Sequence, residues 1–201
     1  MPTERLRGPR LIFRPLVSER WPDFVRLFGE RGACGGCWCM WWRLSAGEFE
    51  AGKGDRNRRA MKRIVESGRI PGIIAYSGSE PVGWCSIAPR EEFPRLERSR
   101  ILRPVDDKPV WSIVCLFIAK PYRKKGISVR LIRAAVEFAR KRGARTVEGY
   151  AVEPRKGKTA DTFAYHGPAS AYRRAGFVEV ARRSETRPIM RRKIRSQPGE
   201  E

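Results

Sequence analysis

Histidine is almost missing from this chain: His166 is the only one in 201 residues. Acidic residues are scarce as well, 22 against 43 Lys and Arg, for a formal charge of +21. No stretch approaches the ~20 consecutive apolar residues of a membrane-spanning helix, so no membrane span is expected. The basic start, Met1 to Gly8, is followed by no signal-peptide apolar region. A cytoplasmic protein is therefore expected, with its five cysteines as thiols rather than bridges. Internal repeats are absent. The nucleotide-binding lysine loop and the dinucleotide fingerprint are also missing, since each needs more glycines at fixed positions. Helix-turn-helix and zinc-finger spacings do not occur. Nor do aromatics alternate with basic residues as in a stacking platform for single strands. Specific nucleic-acid binding is not expected, although so much positive charge draws polyanions to the surface.

What is present suits one globular domain. Hydrophobic residues make up 41% and charged residues 32%, and a chain this long buries roughly 70% of its unfolded surface without metal or disulfide support. We place the domain at 9–195, with 1–8 and 196–201 as flexible termini. Alternation predicts strands over 10–16, 73–76, 82–87, 110–118, 146–152, 177–181 and 189–194. Helical spacing predicts helices over 19–28, with Ser18 as N-cap, and over 56–67, 127–142 and 168–175. Val110 to Ile118 is the most hydrophobic strand and is expected at the centre of the sheet. Residues 89–109 read as a long irregular entrance loop, and 153–162 as polar and flexible. The fold class is α/β: a mixed sheet flanked by helices, with a right-handed crossover through residues 110–152.

The chemistry concentrates at Arg123-Lys124-Lys125-Gly126-Ile127-Ser128, between the central strand and the long amphipathic helix. A helix N-terminus leaves backbone N–H groups unpaired and carries the positive end of the dipole, so it holds anions. Gly126 permits close approach or a left-handed turn, and Arg123, Lys124 and Lys125 add charge. The competing reading is a basic helix start after a proline turn.

Residues 110–142 resemble the acyl-coenzyme A-binding core of the GCN5-related N-acetyltransferase (GNAT) family: an apolar strand, an Arg/Gln-x-x-Gly-x-Gly/Ala turn and a helix. Ser128 departs from the usual Gly/Ala. Tyr172-Arg173-Arg174-Ala175-Gly176-Phe177 resembles the second landmark, Tyr-x-x-x-Gly-Phe. The resemblance implies the single-domain acyl-CoA N-acyltransferase fold, with strands 110–118 and 146–152 splayed around the pantetheine arm. It implies acetyl-CoA as donor, held by Cys115, Leu116, Phe117, Ile118, Arg123, Lys124, Lys125, Gly126, Ile127 and Ser128. Backbone N–H near Cys115 to Phe117 would polarise the thioester. A primary amine of a small molecule or peptide would attack directly, through a tetrahedral intermediate. Another donor, such as succinyl-coenzyme A, is a further possibility.

The implied proton donor is Tyr172, which otherwise reads as aromatic packing. Candidate bases are Glu148, on the second splayed strand and on one face with Tyr150, His166, whose ordinary pKa suits proton transfer, and ordered water. Cys34, Cys37 and Cys39 have four readings: metal ligands, a nucleophile, a redox pair, or small residues in a buried wall under Trp38, Met40, Trp41 and Trp42. The wall fits best, and no metal is expected. The charge favours an acidic or neutral acceptor, unless Glu91, Glu92, Glu97, Asp106 and Asp107 form a local acidic patch. A monomer or homodimer is expected. The alternative to an enzyme is a basic module on the same fold that binds nucleic acid or the ribosome, supported by the arginines of 182–195.

Overall fold

A computed structural model describes residues 10–153 and 165–194. The expectations for residues 1–8, 154–162 and 196–201 lie outside the described residues. Seven strands form one mixed sheet in the order β1-β2-β3-β4-β5-β7-β6. They are β1 (Leu11–Pro15), β2 (Gly72–Ser77), β3 (Glu80–Pro89), β4 (Trp111–Ile118), β5 (Thr146–Tyr150), β6 (Val178–Arg182) and β7 (Pro188–Lys193). The β4–β5 pair is parallel and every other neighbour is antiparallel. That pair is joined by α5 (Ile127–Arg140), the predicted crossover helix.

Each face of the sheet carries its own core. On one face, Ile127, Leu131, Ala135 and Phe138 of α5 pack on Ile73, Val82, Ile113 and Leu116, together with α6 (Ala169–Arg174). On the other face lie α1 (Trp21–Phe28), α2 (Ala46–Gly52), α3 (Asp55–Glu66) and α4 (Pro94–Glu97). Phe24, Phe28, Trp38 and Trp84 form the aromatic centre of that second core. Phe24 and Trp84 meet edge to face with ring centroids 4.8 Å apart, the favoured arrangement of two ring quadrupoles.

Four expectations are corrected. Ser18 makes no cap bond; it starts a 3-10 turn over Ser18–Arg20, and Pro22 opens α1, where a missing N–H costs nothing. The helix α2 was missed, although Ser45 and Glu48 form a reciprocal capping box that the sequence contains. Residues 89–109 hold a 3-10 turn and α4, and bury Phe93, Leu96 and Leu102. Strand β3 runs longer than predicted, to Pro89.

The sheet is interrupted where β4 meets its neighbours. Against β3, Ser86 faces Cys115 while the next residue, Ile87, faces Ile113. Val114 is therefore an extra residue, a β-bulge. Against β5, pairing covers only Trp111–Ile113 and Val147–Gly149. Beyond that the two strands part, and the ring of Tyr172 stands against β5 at Gly149. A Cβ there would lie 2.2 Å from Tyr172 Cε1. Gly149→Ala is accordingly expected to lower unfolding free energy by about 1–3 kcal/mol through overpacking, read as a drop in denaturant midpoint at constant slope. Gly83→Ala, whose Cβ would find its nearest neighbour at 3.4 Å, is expected to change it much less.

Candidate active site

The bulge decides what faces the site. Along β4, Ile113 belongs to the α5 core, and both Val114 and Cys115 belong to the opposite core. The alternation then resumes, with Leu116 and Ile118 toward α5 and Phe117 opposite. Without the extra residue Cys115 and Phe117 would point into the α5 core. With it, they form one wall of a cavity of about 240 Å³. The remaining walls are Phe28, Ala33, Cys34, Cys37, Cys39, Trp41, Trp42, Phe49 and Tyr165. Among the described residues no charged side chain lines it.

The parting of β4 from β5 also frees backbone. Ala119 N–H donates to Val82 O at 3.0 Å. Antiparallel pairing alternates, so Phe117 and Cys115 share that orientation toward β3, while Ile118 and Leu116 turn their amides toward the gap. The Ile118 carbonyl accepts from Arg123 Nε at 3.1 Å, which ties the basic turn to the end of β4. In that turn Lys124 (φ 61°) and Gly126 (φ 72°) are both left-handed. Gly126 adopts this freely, whereas Lys124 carries about 1–2 kcal/mol of strain. Gly126 is the N-cap of α5 and makes no side-chain cap bond. The first-turn amides from Gly126 through Ile127 and Ser128 are therefore open to an anion, with Lys124 and Lys125 exposed beside them.

The cysteine-rich segment forms the far wall through a strained path. Ala33, Trp38 and Cys39 have φ of 66°, 43° and 57°, each costing of order 1 kcal/mol or more. Gly32 lets the Trp38 ring close over it, since a Cβ there would sit 2.3 Å from Trp38 Nε1. Cys39 Sγ accepts from Trp84 Nε1 at 2.9 Å and lies 3.2 Å from Cys115 Sγ. Burial, then the Cys115 contact, holds the Cys39 thiol well above its usual range. A hydrogen bond to Cys39, then burial, does the same for Cys37. These are protonated, poorly nucleophilic thiols at neutral pH. Among the described residues no group of three or more His, Cys, Asp or Glu is placed to hold a metal ion.

Tyr172 and His166 come together at the open end of the splay, and Glu148 stands apart from them. Tyr172 is fully buried, and its hydroxyl donates to the His166 carbonyl at 3.0 Å. Burial pushes its pKa well above the usual phenol value. His166 packs between Tyr165 and Trp42, with ring centroids at 4.1 and 5.5 Å. Neither of its ring nitrogens has a hydrogen-bond partner among the described residues. Burial, then the Arg187 charge, pulls its pKa well below the ordinary value.

Glu148 does share a face with Tyr150, but both its oxygens are taken. Oε1 accepts from Arg90 Nη1 (3.2 Å) and Tyr150 Oη (2.9 Å), and Oε2 from Arg191 Nε (2.6 Å). Arg90 also donates to Glu97, Tyr150 and the Leu102 carbonyl. The carboxylates that could have made a local acidic patch are largely neutralised: Glu92, Glu97 and Asp106 pair with Arg43, Arg90 and Arg191.

Sequence reasoning missed Arg90, Tyr165 and Arg187. Only the surplus of arginine hinted at the two cations, because nothing local distinguishes a buried arginine from a solvated one. A groove of about 1170 Å³ opens at the Thr146 end of β5 between α5 and β6–β7, away from the splay.

A model of the acetyltransferase (GNAT) family matches residues 38–160. The chain belongs to that family. It is an acyl-coenzyme A-dependent transferase. The solved PaiA N-acetyltransferase from Thermoplasma acidophilum, in complex with coenzyme A, is similar in fold. It has 16% identity over 92% of this chain and 99% of that one, with a TM-score of 0.50. A GNAT-family acetyltransferase from Listeria monocytogenes 4b F2365 has 10% identity over 92% and 95%, with a TM-score of 0.55. At such identities the likeness is one of fold. No curated protein matches the chain.

His166 gives this acetyltransferase a pH signature. Its folded pKa lies below its unfolded one, so the folded state binds fewer protons. Stability is then full above about pH 6.5 and falls as pH drops below it. With no other histidine in the chain, the loss between about pH 6.5 and 5 is expected to flatten in His166→Gln, measured by denaturant unfolding across pH.

Proposed function

We propose that the enzyme acetylates a primary amine that enters the aromatic cavity, by direct attack on a donor thioester held in the gap between β4 and β5. The observation that carries this reading is the parting of the two strands directly above an uncapped, basic helix N-terminus. Both halves of an acyl-CoA site are then continuous: free strand backbone for the arm and free helix amides for the phosphates.

The residues present fit that group. Lys124, Lys125 and the amides of Gly126, Ile127 and Ser128 would hold the pyrophosphate, with Arg123 fixing the turn to Ile118. The Leu116 amide, between Cys115 and Phe117, is the donor best directed to polarise the acyl carbonyl; removing one such donor elsewhere costs about 3–4 kcal/mol. Bound acetyl-CoA would supply the acetyl group, with the acceptor nitrogen adding to the thioester carbon before the C–S bond breaks. Tyr172 holds a proton on Oη that the departing sulfur requires. Its raised pKa keeps that proton in place through neutral and mildly alkaline pH. Cys115 and Phe117 exclude water from the reacting face. His166, with its depressed pKa, stays neutral, so the acceptor ammonium loses one proton to water before attack; the second nitrogen proton, released as the N–C bond forms, returns through water to Tyr172 Oη, whose own proton has gone to the departing sulfur. Glu148 holds β5 and β7 in place through Arg90 and Arg191.

Two measurements test the reading. In calorimetric titration with acetyl-CoA, wild type is expected to bind one equivalent, and Lys124→Glu/Lys125→Glu about tenfold more weakly at low salt, with the difference shrinking as salt rises. Undiminished affinity in the double variant would move the phosphates elsewhere. In steady-state acetylation, Tyr172→Phe is expected to lower kcat about a hundredfold with acetyl-CoA affinity little changed. A kcat within twofold of wild type would remove Tyr172 from the proton path.

A further inference from the structure

Behind the cavity wall sits a set of polar groups that nothing in the reaction uses. Buried Trp42 Nε1, both ring nitrogens of His166, and Nε and Nη2 of Arg187 have no hydrogen-bond partner among the described residues. Buried polar groups are nearly always paired, and an orphan marks a missing ligand, water or ion. Here five cluster in one place. Trp42 and Tyr165 line the cavity and His166 packs on both rings; residues 152 and 153 join the His166 and Arg187 segments, since Val152 N–H donates to Gly167 O and Glu153 N–H to Thr186 O. Arg187 precedes β7, where the turn after β6 returns: its N–H donates to Ser184 O.

The pattern of the orphans specifies their partner. Nε and Nη2 form one edge of the guanidinium fork, whose two parallel N–H bonds match the two oxygens of a carboxylate. A buried guanidinium left unpaired is costly, and no carboxylate of the described residues bonds this edge. The cavity that Trp42 and Tyr165 line is aromatic and, at about 240 Å³, smaller than the ~300–1,000 Å³ of pockets for drug-sized ligands. It has room for one apolar side-chain-sized group. Arg95, stacked 3.6 Å over Trp41, adds positive potential at the rim.

We propose that the acceptor is an apolar aminocarboxylate, with its hydrocarbon body in the aromatic cavity and its carboxylate on the Nε/Nη2 edge of Arg187. Trp42 and His166 complete the anion's hydrogen bonds. This rests on the acetyltransfer reading and goes beyond it by naming the substrate class. It disfavours aminoglycosides and polycationic tails, which bring no acid and meet an arginine.

The test uses matched pairs that differ only in the acid: phenylalanine with phenethylamine, and leucine with isopentylamine. Binding of each to the full chain is followed by tryptophan fluorescence, and acetylation by acetyl-CoA consumption. Wild type is expected to favour the acid member by about tenfold to a hundredfold in Kd or KM. In Arg187→Met that ratio is expected to fall to about one, and in Arg187→Lys to an intermediate value. Thermal unfolding of both variants separates misfolding from lost recognition, and the lysine variant carries the test if the methionine variant does not fold. Equal affinity for both members in wild type, or an unchanged ratio in the variants, overturns the proposal, as does absence of binding by all four probes. Acetyl-CoA titration runs alongside. If acetyl-CoA does not bind but the acid preference appears, the donor reading fails and the anion site stands. If acetyl-CoA binds but no acid preference appears, the reverse holds.

Discussion

The site depends on one break in the β-sheet. A seven-stranded sheet closed by continuous hydrogen bonding would have no backbone to spare and no gap to fill. Here β4 pairs with β5 for three residues and then leaves it. The bulge at Val114 adds local twist and bends the strand at that point. It also changes which side chains face the cavity, delivering Cys115 and Phe117 to the acceptor side. Unpaired strand backbone is costly in a core, so the gap is sustained by what flanks it. Tyr172 fills the space against Gly149, and Arg123 reaches back to the Ile118 carbonyl. The same geometry that leaves Leu116 without a strand partner makes it available to a ligand.

Part of the high positive charge serves structure. Arg90 and Arg191 converge on buried Glu148, and Arg191 extends to Asp106. Arg173 and Arg182 share Glu153 and Glu179. Exposed members of such networks add little stability individually. The buried centre matters more, because removing Glu148 would take the one buried carboxylate from two guanidinium groups and leave Arg90 to Glu97 and Arg191 to Asp106. This arrangement bears on the basic-module alternative. The arginines of 182–195 that suggested nucleic acid are in good part committed to carboxylates and to the Ala175 and Glu185 carbonyls. Arg187 differs from them, since its Nε and Nη2 atoms are buried with no hydrogen-bond partner among the described residues.

Legibility followed periodicity. The central strand, the crossover helix and the turn at Arg123–Ser128 could be read because apolar spacing and one glycine determine them locally. The order of elements then carried the fold. The bulge could not be read: Val114 and Cys115 are ordinary strand residues, and only the register against β3 makes one of them extra. Glu148 was a fair candidate by position on β5. Its saturation comes from Arg90 and Arg191, which are 58 and 43 residues away along the chain. His166 was singled out for its intrinsic pKa, which is the property that burial removes. The capping box of α2 was present in Ser45-Ala46-Gly47-Glu48 and was overlooked because two glycines sit nearby.

The cysteines show how composition can point to the wrong chemistry. Three in six residues suggest a metal or a redox pair, yet what this wall needs is small volume, low polarity and tolerance of strain. Cys39 occupies a left-handed position that favours glycine or asparagine. Its place is held from the side chain: the sulfur accepts the Trp84 indole N–H and touches Cys115. Alanine there would leave a buried indole donor unpaired, at about 1–3 kcal/mol. Serine would bring a stronger acceptor, and also a hydroxyl that must find an acceptor of its own beside a thiol. Cysteine is the small, weakly polar compromise. A wall built this way stays dry, and a dry wall strengthens whatever charge pairing occurs at its edge.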